Sequence, residues 1–196
     1  MLKIVNAPSN VLSEKAKPIL KIDKNILAII EGMKETLNAT YNPEGVGLAA
    51  PQIGKSLQIF IIKPTQKSKI QVFINPKIQA QNQAEQNTEP HRNDQRESVR
   101  KSAEIKSASK KLEGCLSLPS IWGEVKRSQK VSVFYLDEKG KKHERLFTGF
   151  TATILQHEYD HLQGTLFPKR VLEQKGKLYK SIKNKKGEDE FEEMEI

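Results

Sequence analysis

The sequence predicts an α+β domain: mainly antiparallel strands around a central helix that carries candidate metal ligands. Three observations predict it. Residues 23–39 show a helical apolar period, residues 57–63, 70–75, 131–136 and 142–148 are short strand-like runs, and residues 151–163 form an unbroken helical stretch. A chain of 196 residues suits one domain with a real core.

The elements follow in order. Residues 23–39 open with Asp23, a capping residue type, and place Ile26, Leu27, Ile29, Ile30, Met33 and Leu37 at three- and four-residue steps, which gives a helix with one apolar face. Residues 57–63 and 70–75 are rich in β-branched and aromatic side chains, and Pro64 and Pro76 punctuate them, so both read as strands. Residues 131–136 and 142–148 flank Asp137-Glu138-Lys139-Gly140, a short connection ending in glycine that suits a hairpin. Residues 151–163 contain no Gly or Pro and stop at Gly164, with Pro168 beyond, as a helix with a glycine stop signal does.

Between strand and motif, residues 80–111 differ in composition, with Val99 and Ile105 the only large apolar side chains. Such a stretch cannot add to a core and is predicted to be a mobile polar insertion in a single catalytic domain spanning 1–168. Residues 169–196 form a charged extension: 169–186 carry eight Lys or Arg against Glu173 alone, and 187–196 carry six acidic residues and no basic one. The basic part is expected to be a helix or arm, the acidic part disordered. The net charge of +9 is therefore unevenly placed. No apolar run approaches the roughly 20 residues of a membrane helix, and residues 1–8 resemble neither a signal peptide nor an Arg-rich presequence. No membrane or DNA partner is expected. One cysteine, Cys115, excludes an internal disulfide framework and leaves a core thiol, a nucleophile or a metal ligand.

The densest chemistry lies at Gln156-His157-Glu158-Tyr159-Asp160-His161. Helical residues four apart share a face, so His157 and His161 can reach one cation, and Glu158 can reach a water beside it. A third ligand has three possible sources. The extended HExxHxxGxxH pattern has its glycine, Gly164, but puts Phe167 at the ligand position, where a hydrocarbon ring cannot bind. Glu173 or the acidic tail lies in no convincing buried helical pattern. Cys115, in Glu113-Gly114-Cys115-Leu116-Ser117, would complete a Cys-His-His set with one open position, although a solitary cysteine is commonly a small core residue. A catalytic cysteine with a histidine base leaves the HExxH spacing unexplained. The segment 45–54, GVGLAAPQIG, is either a strand edge open to an extended peptide or a tightly packed Gly/Ala turn, and Gln52 offers it an amide donor.

Three motifs in this order, GVGLAAPQ at 45–52, EGCLS at 113–117 and QHEYDH at 156–161, together with the opening KIVNAPSNVLSEKAKPI, resemble the peptide deformylase family. The resemblance covers the core and leaves out 80–111 and the tail. It implies that Cys115, His157 and His161 hold one divalent ion, ferrous iron first, with zinc, nickel or cobalt as alternatives. It further implies Glu158 as acid and base, with the Gln52 side chain and the Leu116 backbone N–H at the developing oxyanion. The backbone near Val46, Gly47 and Gly114 would hold an extended substrate peptide, and Phe150, Thr153 and Ile154 would line the methionine pocket, Thr153 as its polar member. The implied substrates are nascent formyl-methionyl polypeptides, which places the protein in a bacterial-type cytoplasm, with ribosome contact through 169–186 as a further expectation. Two rivals remain: a zinc endopeptidase, which Phe167 disfavours, and a ribosome-associated protein without catalysis, which the intact HExxH disfavours.

Overall fold

The computed structural model describes residues 1–41, 45–80, 111–183 and 189–195. Residues 81–110, and with them nearly all of the expected insertion, lie outside the described residues, as do 184–188. After a short turn of helix, α1 (Asn10–Ser13), the first long helix is α2 (Lys24–Asn38), where Asp23 accepts the backbone N–H of Ile26 at 3.0 Å, as its capping role predicts. Ile30, Met33 and Leu37 of α2 are buried, whereas Leu27, counted on the apolar face, is 40% exposed.

The sheets are antiparallel throughout. β1 (Gly47–Ala49), β2 (Ile59–Ile62), β3 (Gln71–Ala80), β6 (Lys130–Leu136) and β7 (Lys142–Thr148) form a five-stranded sheet in the order β1-β2-β3-β6-β7. β4 (Lys111–Cys115), β5 (Leu118–Val125), β8 (Leu178–Lys183) and β9 (Asp189–Glu193) form a second sheet in that order. The large sheet is covered on both faces: Ile59 and Ile61 meet the α2 residues, while Phe60 and Ile62 meet Ala152, Ile154 and Leu155 of α3 (Gly149–Leu162). Burial on both sides explains why 59–62 is apolar at every position rather than alternating. The expected antiparallel arrangement around the central helix is thus the observed one.

Two expectations need correction. Pro76 does not end the third strand, which runs on to Ala80 through a register shift between Ile74 and Lys77. Asn75 takes a φ of 49° there, and its side chain is anchored by two 2.7 Å bonds to the Ile19 backbone, so the missing proline N–H falls at a bulge rather than in a regular ladder. The tail is also no appendage. The boundary expected at 168 falls inside α4 (Phe167–Glu173), Val171 and Leu178 are buried with Phe167 and Cys115, and β8 pairs with β5. Four of the acidic residues expected to be disordered, Asp189, Glu190, Glu192 and Glu193, lie in β9, where lysines of the neighbouring β8 region pair with them: Lys177 binds Glu193 at 2.7 Å and Lys183 binds Asp189 at 2.9 Å.

Candidate metal centre and active site

The helix α3 ends in a double hydrogen-bonded glycine stop, with the N–H of Gly164 on the His161 carbonyl at 3.2 Å and that of Thr165 on the Asp160 carbonyl at 2.9 Å. Gly164 has a φ of 67°, and a Cβ there would sit 2.6 Å from the Ser13 carbonyl oxygen, so only glycine fits. Upstream, β4 turns sharply into β5 at Cys115, which pairs with Leu118, and this delivers the thiol to the helix.

Cys115, His157 and His161 bring one donor atom each to within 4.8 Å of one another. The sulfur lies 3.3 Å from Nε2 of His161, and the two imidazole rings are 5.1 Å apart and nearly perpendicular. Nδ1 of His157 meets the Glu113 carboxylate at 3.0 Å, which leaves Nε2 for the cluster. Burial alone would raise the Cys115 thiol, but His161 and His157 outweigh it and hold the thiol well below its usual range. His157 is likewise held well above the usual imidazole range: burial opposes the charge, and Cys115 and Glu113 outweigh burial. A thiol that gives up its proton readily and two imidazoles, converging in one buried place, suit a divalent cation with thiolate and imidazole ligands.

Glu113 does not stand alone. Arg127 grips it with both Nε and Nη2 at 2.9 Å and reaches Asp160 with Nη1 at 2.6 Å, and Arg170 from α4 holds the same Asp160 at 2.7 and 3.1 Å. Burial works against the Glu113 charge, yet Arg127 and His157 bring its carboxyl down to about 2. Glu158, one residue along from His157, is 3% exposed, and its Oε2 has no hydrogen-bond partner among the described residues. Burial pushes its carboxyl up to about 7. A Cβ on Gly47 would run into this carboxylate, so the glycine gives Glu158 its space. Gln52, 2% exposed in the 3₁₀ turn Ala50–Ile53 that follows β1, accepts the Ala49 N–H through Oε1 at 2.8 Å. This turns its Nε2 toward the site, 3.4 Å from the Cys115 sulfur.

A cavity of about 260 Å³ opens beside the cluster. Every residue singled out from the sequence lines it (Val46, Gly47, Gln52, Gly114, Cys115, Leu116, Phe150, Thr153, Ile154, His157 and Glu158) except His161, which is 1% exposed. Glu113, Leu112 and Trp122 also line it and were missed, as were Arg127, Asp160 and Arg170 behind it. Glu113 and Asp160 lie inside motifs 113–117 and 156–161, and that position was the available signal. Nothing local to Trp122 or Arg127 marks either one.

The family model for polypeptide deformylase matches residues 1–177. The chain is 40% identical over 157 residues to the peptide deformylase of Pseudothermotoga lettingae, covering 80% of this chain and 75% of that one. It is 34% identical over 174 residues to the peptide deformylase of Treponema pallidum, covering 89% of each. The crystal structure of peptide deformylase from Thermotoga maritima superposes with a TM-score of 0.68 at 33% identity, over 87% of this chain and 97% of that one. Motifs, fold and whole-length likeness agree, and the chain belongs to the polypeptide deformylase family.

Proposed function

We propose that this chain hydrolyses the formyl group from the N-terminal formyl-methionine of newly synthesised polypeptides, giving formate and a free amino terminus. One observation carries the reading: the Cys115-His157-His161 cluster, a Glu158 carboxylate oxygen without a hydrogen-bond partner among the described residues and the fixed Gln52 amide meet beside a single cavity. The three ligands would hold one divalent ion, which supplies a water activated near neutral pH. Glu158 accepts a proton from the attacking water and hands it to the leaving amine, a task that suits a buried carboxyl with a raised pKa. Gln52 Nε2 and the Leu116 backbone N–H donate to the formyl oxygen as negative charge gathers there. β1 and β4 are edge strands of their two sheets, so the backbone around Val46, Gly47 and Gly114 can align an extended peptide. Phe150, Thr153 and Ile154, from the first turns of α3, receive the methionine side chain. The Thr153 hydroxyl is 3.5 Å from the Gly149 carbonyl of its own helix, which gives it a partner outside the pocket.

Ferrous iron, which the family resemblance implies, is our reading of the resident metal; the ligand set itself does not choose, since a thiolate with two imidazoles also accepts zinc, nickel or cobalt. The iron-loaded enzyme then loses activity in air as the metal or Cys115 is oxidised. Protein isolated with zinc alone and fully active in air contradicts the iron assignment. The site of action is a bacterial-type cytoplasm in which translation starts with formyl-methionine. Among the described residues no helix is long and apolar enough to cross a membrane. Ribosome contact through 169–186 has weaker support, because Arg170, Lys177 and Lys183 are engaged by Asp160, Glu193 and Asp189. Binding to ribosomes that weakens steeply with salt is its test. The activity itself is tested by formate release from formyl-Met-Ala-Ser with anaerobically prepared, iron-loaded protein, beside a blocked peptide cleavable only internally. Formate from the first peptide alone supports deformylation, and cleavage of the second alone makes the chain an endopeptidase.

A further inference from the structure

We propose that Phe191, on the tail strand β9, is a positioning residue for the substrate pocket that acts through Trp122. Trp122 lines the cavity from β5, and its indole occupies the space Gly114 leaves open: a Cβ on Gly114 would lie 2.9 Å from the ring. Phe191 meets the same indole edge-on, with centroids 5.7 Å apart and planes at 85°. The ladder explains the meeting. Gly114 lies opposite Trp122, Trp122 opposite Tyr179, and Tyr179 opposite Glu193, so Phe191, two residues before Glu193, shares their face. The other face, with Gly123 and Leu178, packs on Val171 and Phe167. Trp122 therefore stands away from the core, flanked by a glycine on one strand and by Phe191 on another. Phe191 is 44% exposed, so packing in the core does not account for an aromatic ring there. Its contact with the indole fixes the pocket wall against which the peptide beyond the formyl-methionine lies. The substrate role rests on the deformylase reading; the contact between the rings does not.

Trp122 is the only tryptophan in the chain, so intrinsic emission reports on it alone. Phe191→Ala red-shifts that emission and steepens acrylamide quenching in protein without substrate. It also raises KM for formyl-Met-Ala-Ser roughly two- to tenfold, with kcat and metal content unchanged. Phe191→Tyr, which keeps the ring, restores native emission and KM. In a Trp122→Ala background, Phe191→Ala adds nothing further to KM. The proposal is overturned by unchanged emission, by changed emission with unchanged KM, by a fall in kcat in place of a rise in KM, or by an undiminished effect in the Trp122→Ala background. If the native protein releases no formate, the deformylase reading has failed, and the emission measurement still decides whether Phe191 braces Trp122.

Discussion

Two buried glutamates flank the same histidine and are treated in opposite ways. Behind His157, Glu113 is locked by Arg127 into a chain of charges that continues through Asp160 to Arg170, and its carboxyl is drawn down to about 2. In front, Glu158 has a carboxylate oxygen without a partner among the described residues, and burial lifts its carboxyl to about 7. The cost of burying charge is met on one side by paired cations and on the other is left to act on the proton. Under the proposed function, the difference separates holding from reacting. A permanently ionised Glu113 fixes the His157 ring through Nδ1, whereas a carboxyl poised near neutrality can take up and release a proton within one turnover.

If the front of the site is where reaction occurs, its removal affects rate without loosening the back. Gln52→Ala is expected to lower kcat/KM by roughly 100- to 1000-fold, about 3 to 4 kcal/mol of barrier, with metal content unchanged. Near-normal turnover by the fully metallated variant contradicts the donor role. At the far end of the back, Arg170→Ala is expected to cost about 1 kcal/mol of stability by denaturant unfolding, because Arg170 is partly exposed and Arg127 still holds Asp160. Metal affinity should stay near native, and a large loss would mean that the charges act as one unit rather than in graded steps.

The asymmetry was only half legible in the sequence. The front is written locally: His157, Glu158 and His161 follow from helical spacing, and Gln52 from its place in a Gly/Ala-rich segment. The back depends on residues far apart in the chain, since Glu113, Arg127, Asp160 and Arg170 come from β4, the β5–β6 connection, α3 and α4. No period or spacing links them. The fold shows the same division. Helix α2 and the β6–β7 hairpin carry their own cap and turn signals, including Asp23 and Gly140, and matched expectation closely. The bulge at Asn75 depends on a distant backbone partner, Ile19, and the tail strand β9 on the lysines of the β8 region, so neither was visible in a local window.

The division of labour between the two glutamates is tested most directly by cobalt titration and turnover of Glu158→Gln and Glu113→Gln, side by side. Glu158→Gln should bind cobalt with native affinity and a native thiolate absorption band, yet lose roughly 100- to 10,000-fold in kcat when saturated with metal. Glu113→Gln should bind cobalt roughly 10- to 100-fold more weakly while retaining most of its turnover once loaded. Weak metal binding by Glu158→Gln with substantial turnover, or native affinity in Glu113→Gln with turnover lost, would reverse the assignment and contradict it.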